Sequence, residues 1–331
     1  MREARAFWVV GPGHGEIRPA PLREPRSGEV LVRATASALS RGTEALVLRG
    51  GVPEDQHCAM RAPFQEGDFP WPVKYGYLSV GVVEVGPPEL AGRTVFCLYP
   101  HQTQYVVPVQ AVTPVPDDVP HRRAALAGVV ETAINGLWDA APLLGDRVAV
   151  VGAGTVGCCV ARLLAGIPGT SVTLVDTDPG RAATAAALGV GFAPADQAPG
   201  GCDLVVHTSA TAAGLQCSLE LLAAEGEVID LSWYGDTRVE VALGGSFHSG
   251  RLAIRSSQVG AVAPARRGRR STADRLRLAL ELLRDPAFDA LVTGTWPFAE
   301  LPRVMADLAG GTLPSGCHTL TYGEGQEACS A

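Results

Sequence analysis

The chain has 331 residues, 47% of them hydrophobic, which is enough for two domains with separate cores. Its 34 acidic against 27 basic residues give a net charge of −7, which argues against nucleic-acid binding. Eight cysteines with no CxxC spacing are too sparse for a disulfide framework, and no apolar run is long enough to span a membrane.

The opening MREARAFWVVGPG carries charge on both sides of a short apolar run. It reads as a first strand, not a leader, so a reduced, cytoplasmic location is expected. EVLVRATASAL, YLSVGVVEVG, RTVFCLY and TQYVVPV follow as short strands. Between them, residues 63–72 (PFQEGDFPWP) form a polar and aromatic loop of the kind that shapes pockets.

After Pro114-Val115-Pro116-Asp117 the pattern turns helical and alanine-rich from Arg122 to Ala141. DRVAVVGAGTVGCCVARLLAG then predicts a strand, a tight turn and a helix. SVTLVDTDPG, CDLVVHTSA and EVIDLSWYG predict further strands, alternating with helices over RAATAAALG and AAGLQCSLELLAAEG. Fully apolar strands in βαβαβ order predict a parallel sheet. LAIRSSQ adds a strand, TADRLRLALELLRD and FAELPRVMADLAGG add helices, and HTLTY closes the chain pattern. Arg266, Arg267, Arg269 and Arg270 read as a solvated loop before a helix.

Gly152-x-Gly154-x-x-Gly157 directly follows the strand RVAVV and opens a helix. In that context the spacing is a dinucleotide fingerprint. Gly152 permits the tight turn, Gly154 lets the backbone approach a pyrophosphate, and Gly157 allows helix and strand to pack closely. The helix N-terminus, with Thr155 and Val156, offers free N–H groups to the anion. The next strand ends in Asp176, 24 residues after Gly152, where a carboxylate accepts from ribose hydroxyls. That favours NAD over NADP, whose 2′-phosphate it would repel. Arg181 is five residues further on, on the adenine side.

GTE at 42–44, GYLSVGVVEVG at 76–86, GDRVAVVGAGTVG at 145–157 and the late GCHTLTY occur in an order that resembles the medium-chain dehydrogenase/reductase superfamily, the alcohol dehydrogenase-like proteins. The resemblance covers essentially the whole chain. It implies an α/β fold: a β-rich GroES-like catalytic domain over 1–121 and 268–331, and a Rossmann NAD-binding domain over 122–267. The strand LAIRSSQVG resembles one that pairs across a two-fold axis in that superfamily, which implies a homodimer. GTE and the glycine-tyrosine segment are also partly similar to the branch of bacteriochlorophyllide hydroxyethyl dehydrogenases, without carrying over their substrate.

Zinc-dependent members look like GHExxGxVxxVG at the second landmark. Here Tyr77 and Leu78 stand in place of histidine and glutamate. The first ligand position holds Ser40 or Arg41, and the third falls on Gly128. The four-cysteine structural lobe is missing, and His57-Cys58, the sole close-spaced ligand pair, consists of neighbours that point apart. No metal is expected, because these side chains do not supply a zinc-binding set.

Without zinc, hydrogen-bond donors must stabilise the charge that develops on a carbonyl oxygen. Tyr77 has two readings, as donor to the substrate oxygen or as packing in a vacated metal cavity. Lys74 either tunes that tyrosine or is a surface lysine. Ser40 is a small donor at a former ligand position. Glu44 is either a general acid/base or the partner of Arg41, and Arg41 by resemblance reaches the cofactor pyrophosphate. The resemblance also puts Thr132, His207, Ser209 and Ser232 near the cofactor. Glu131 and Asn135 share a helix face, and Glu131, set in the apolar run VVETAIN, needs a partner. Phe64, Phe69 and Trp71 are expected to line a roomy aromatic pocket.

The leading reading is zinc-independent, NAD(H)-dependent interconversion of an alcohol and a carbonyl on a fairly bulky small molecule. Two alternatives stay open: reduction of an enone or quinone C=C bond, and a non-catalytic cofactor-binding or structural homologue.

Overall fold

The computed structural model describes residues 2–314 and 316–323. The first strands are β1 (Arg2–Gly11), β2 (His14–Leu22) and β3 (Glu29–Ala38), followed by helix α1 (Arg41–Arg49). Then come β4 (Glu66–Gly67), β5 (Val73–Lys74), β6 (Ser79–Val85), β7 (Thr94–Cys97), β8 (Gln104–Pro108) and β9 (Val112–Pro114). Sequence patterning suggested strands alone here. Helix α1 is nevertheless present, and Gly50 closes it in the left-handed conformation with its N–H on the Leu46 and Val47 carbonyls.

The expected helix over 122–141 is split into α2 (His121–Ala124) and α3 (Ala127–Ala140). Next are β10 (Arg147–Val151), α4 (Thr155–Ala165), β11 (Ser171–Asp176), α5 (Arg181–Ala187) and β12 (Gly191–Pro194). They continue as β13 (Cys202–His207), α6 (Ala212–Leu221), β14 (Leu222–Asp230), α7 (Ser246–Ser249), β15 (Ala253–Ser256) and α8 (Thr272–Leu282). The chain returns through β16 (Val292–Pro297), α9 (Leu301–Ala309) and β17 (Cys317–Thr321).

The helix expected over 212–226 stops at Leu221. Leu222 already pairs with Cys202, and Glu227 with Leu204, so sheet pairing overrides the helix propensity of LAAEGE.

Two compact units result, Met1–Gly128 with Val292–Ala331 and Val129–Leu291. The second is the α/β unit, with a wholly parallel sheet in the order β12-β11-β10-β13-β14-β15. Val148, Val150, Leu174, Val205 and Val206 are buried in it, each contributing about 1.5–3 kcal/mol. The first unit has a four-stranded sheet, β2-β1-β5-β4, and a larger one, β16-β17-β3-β6-β7-β9, with β8 also on β3. In the larger sheet β16 and β17 are parallel and the other pairs antiparallel.

The boundaries differ from the expected 121/122 and 267/268. Helix α8 belongs with the parallel sheet because its Arg275, 1% exposed, is buried against Glu131 and Asn135 of α3. Arg275 is the partner that Glu131 needed. Its guanidinium also donates to the Val259 and Ala261 carbonyls.

Candidate functional site

In the parallel-sheet unit, β10 runs into the glycine turn and α4. Gly152 has φ +107°, and a Cβ there would stand 2.8 Å from Ser209 N and Thr208 Oγ1. At Gly157 a Cβ would stand 1.9 Å from the Gly152 carbonyl oxygen, so only glycine lets helix and turn approach this closely. At Gly154, the residue capping α4, a Cβ would meet nothing within 4 Å. That open cradle, with the unpaired first N–H groups of α4 at Thr155, Val156 and Gly157 above it, fits a pyrophosphate.

Asp176 is half-buried at the end of β11. Its Oδ2 accepts from Ala153 N–H at 2.7 Å and its Oδ1 from Asp178 N–H at 2.9 Å. The carboxylate thus braces the glycine turn and still has lone pairs to offer a ribose. Arg181 is buried, with Nε 3.2 Å from Asp178 Oδ2. Thr132 is half-buried on α3.

His207, Ser209 and Ser232 come together at the carboxyl ends of β13 and β14, but His207 is fully buried and both ring nitrogens are occupied. Its imidazole meets these neighbours rather than solvent. Tyr234, expected from the sequence on the same cofactor edge as His207, completes this cluster together with Asp230, which the sequence did not single out.

In the other unit, Tyr77 lies between β5 and β6 and is half-buried. Its hydroxyl is hydrogen-bonded to the Ser40 and Thr43 side chains, at the start of α1. Burial pushes its pKa up to about 12, and the nearby Glu44 carboxylate adds to that, against the lowering effect of the two hydroxyls. The phenol is therefore a stable donor. Tyr75 packs edge-on against it at 6.2 Å, and Phe69 lies 5.7 Å from Tyr75. Phe64 instead packs with its ring tilted against Tyr99, at 5.4 Å. Trp71 lies against Gly50, and its buried Nε1 has no hydrogen-bond partner among the described residues.

Lys74 is not on the surface. It is 2% exposed, donates to Glu66 and, at 2.8 Å, to Gln102 Oε1, and lies over the Tyr99 ring. Burial lowers its pKa against the opposing pull of Glu66.

Glu44 is also buried. Oε1 accepts from Ser40 N–H and Oε2 from His101 Nε2, both at 2.9 Å. His101 Nδ1 is 2.9 Å from Ser37 Oγ, which is 2.8 Å from Tyr322 Oη. With Nε2–H donating to the carboxylate, Nδ1 accepts from Ser37 and Ser37 accepts from Tyr322. Ser37, His101 and Tyr322 were missed from the sequence. Separations of 57, 64 and 285 residues leave no spacing signal. Arg41 opens α1 and is half-buried.

These residues do not fit a catalytic zinc. Leu78 has no donor atom, its 0% exposed side chain fills the space beside Gly128, and the Tyr77 phenol stays protonated. Among the described residues no three His, Cys, Asp or Glu side chains gather in a metal-holding group.

No protein-family model matches the chain, and neither does any curated protein sequence. Solved structures do resemble it. The chain is similar to L-idonate 5-dehydrogenase from Escherichia coli K-12, with TM-score 0.79, 15% identity, and coverage of 97% of this chain and 99% of that one. A short chain alcohol dehydrogenase from E. coli CFT073, complexed with NADH, gives TM-score 0.77, 17% identity, and coverage of 97% and 99%. A proposed zinc-binding dehydrogenase from Sinorhizobium meliloti 1021, bound to NADP, gives 0.76, 16%, and 97% and 100%. The chain therefore has the two-part fold of alcohol dehydrogenase-like proteins, with a parallel Rossmann-type sheet in one unit and mostly antiparallel sheets in the other.

Proposed function

We propose that this chain is a zinc-independent, NAD(H)-dependent oxidoreductase of the medium-chain dehydrogenase/reductase type, interconverting an alcohol and a carbonyl on a fairly bulky small molecule. The observation that carries the reading is the glycine turn, open at Gly154 and braced by Asp176. Gly152, Gly154, Gly157 and the first N–H groups of α4 would hold the pyrophosphate, and Asp176 the ribose. The bound nicotinamide would supply a hydride acceptor or donor. Tyr77 then serves as hydrogen-bond donor to the substrate oxygen, oriented by Ser40 and Thr43. Glu44 acts through position: it fixes the Ser40 backbone and His101 rather than moving a proton itself.

No helix among the described residues is long and apolar enough to cross a membrane. The described cysteines are all free, in keeping with a reduced, cytoplasmic setting. Strand β15 is a sheet edge with Ile254 38% exposed, and a homodimer formed on that edge is part of this reading.

The test is calorimetric titration with NAD and NADP, elemental analysis of the purified protein, and NADH oxidation against a panel of ketones, aldehydes, enones and quinones. Tighter NADP binding would overturn the role given to Asp176, and one tightly bound zinc per chain would overturn metal independence. Turnover confined to enones or quinones would replace carbonyl by C=C reduction. On a substrate found this way, Tyr77→Phe at full kcat would reduce Tyr77 to packing.

A further inference from the structure

The parallel-sheet unit holds a second constellation, beside the glycine turn, to which the hydride-transfer reading gives no chemical step of its own. Asp230 ends β14, His207 ends β13, and Ser209 stands in the turn between β13 and α6. His207 Nδ1 is 3.0 Å from Asp230 Oδ1, and Nε2 is 2.7 Å from Ser209 Oγ. The imidazole and carboxylate are buried, whereas Ser209 is half-buried on a rim whose next residues, Ala210 and Thr211, are exposed.

Asp230 also accepts from Ser232 N–H at 2.9 Å and from the Tyr234 hydroxyl at 2.8 Å. Burial alone would raise its pKa, but hydrogen bonds from His207, Ser232 and Tyr234 hold it below the ordinary carboxylate range. Ser232 Oγ and Tyr234 Oη lie 3.1 and 3.3 Å from the same His207 nitrogen. An ionised carboxylate facing Nδ1 puts the ring proton there and leaves Nε2 as a base. Ser209 then donates to Nε2. Thr211 Oγ1, 3.0 Å from Ser209 Oγ, accepts from Gly214 N–H and donates to the serine. The hydrogen bonds thus run in one direction from Thr211 to Asp230.

We propose that Ser209, His207 and Asp230 form a nucleophile–base–carboxylate triad that hydrolyses short-chain carboxylic esters. Ser209 Oγ bonds to the acyl carbon while its proton passes to His207 Nε2. The acyl–oxygen bond to the alcohol breaks, and the alkoxide leaves with that proton. Water then attacks the acyl-serine, giving a proton to Nε2, and the carboxylic acid leaves as the serine hydroxyl is restored. Water is the only co-reactant.

Helix α6, ten residues long, begins three residues after the nucleophile. The N–H groups of its first turn, at Ala212 and Ala213, are the donors for the oxyanion. Ala210, Ala212, Ala213 and Gly214, which follow the serine closely in the chain, are all small, which favours a short acyl group. A Cβ on Gly214 would stand 2.1 Å from Ser209 Oγ and 2.9 Å from His207 Nε2, so the helix packs directly on the triad. Ser209 N also abuts Gly152 of the glycine turn, so NAD and an ester compete for this place.

The test uses the full chain with 4-nitrophenyl acetate and, separately, a fluorophosphonate probe located by mass spectrometry. The expected adduct is on Ser209, a result that needs no variant. Ser209→Ala and His207→Gln are expected to lower kcat/KM by about a hundredfold or more. NAD should inhibit the wild-type reaction. Circular dichroism of Ser209→Ala separates loss of the nucleophile from loss of the fold. An adduct elsewhere, no adduct, or a wild-type rate in Ser209→Ala overturns the proposal. It stands apart from the dehydrogenase reading: a labelled Ser209 with no NAD binding would sink only that reading, and NAD binding with no labelling would sink only this one.

Discussion

Leu78 and Gly128 fit each other: the Leu78 Cδ2 atom lies 2.5 Å from where a Cβ on residue 128 would stand. The resemblance drawn from the sequence puts polar residues at both positions. An apolar side chain fills the space, and the absence of one at 128 leaves room for it.

That fit predicts a change of sign. Gly→Ala in a helix normally gains up to about 1 kcal/mol. In this protein Gly128→Ala is expected to destabilise by about 1 kcal/mol or more, because overpacking outweighs the propensity gain. In a Leu78→Ala background the same substitution becomes neutral or stabilising. Urea midpoints of the four proteins measure the cycle, and the same effect of Gly128→Ala in both backgrounds would refute the packing relationship.

Tyr77 has a pH signature. Its folded pKa is about 12, against 10.0 for the free side chain. Its contribution is fully present below pH 10. As pH rises towards 12 the unfolded phenol ionises first, so stability is lost at about 1.4 kcal/mol per pH unit. Tyr77→Phe removes this contribution while other buried groups still titrate. The difference in unfolding free energy between the two proteins should therefore shift by about 1 kcal/mol between pH 9 and 11. A constant difference would show that the phenol is not shielded.

Asp176 is expected to affect fold and ligand together. Asp176→Ala strips the acceptor from the Ala153 and Asp178 N–H groups and should cost about 1–3 kcal/mol without cofactor. It should also weaken NAD binding at least tenfold and narrow the preference over NADP. Unfolding of the apo-protein and calorimetry of both nucleotides read the two effects. Weaker binding with unchanged apo-stability would mean that the carboxylate does not brace the turn.

Glu44→Ala leaves two donors, Ser40 N–H and His101 Nε2–H, without an acceptor in a buried place. The expected loss is about 2–5 kcal/mol. Glu44→Gln keeps one acceptor oxygen and should lose roughly half as much. Chemical denaturation gives the order, and an alanine variant as stable as wild type would remove Glu44 from the architecture.

The parallel sheet was legible because its strands are apolar on both faces and its glycines occur at a strand–helix junction, where each meets a separate steric demand. Asp176 was legible from spacing, although its bracing of Ala153 was not. Helix α1 was hidden inside a strand-rich stretch, and α6 ended early because pairing with β13 claims Leu222. Lys74 was misjudged because a lone lysine gives no sign that Glu66 and Gln102 will fold over it. The Glu44–His101–Ser37–Tyr322 chain and the Asp230–His207–Ser209 arrangement depend on which strand ends lie side by side. That information belongs to topology and is absent from local pattern.

Arg275 has a consequence for how the α/β unit comes apart. One guanidinium grips Glu131 and Asn135 on α3 and the carbonyls of Val259 and Ala261, and Asn135 in turn accepts from Ala263 N–H. The backbone of 259–263 is thus shaped by a side chain that reaches it from α8. The exposed arginines 266, 267, 269 and 270 lie directly between the two. Release of this single side chain would free both flanks of a run rich in trypsin sites. Cleavage there would then serve as a clock for the undocking of α8, ticking faster in Arg275→Met while the rest of the sheet holds.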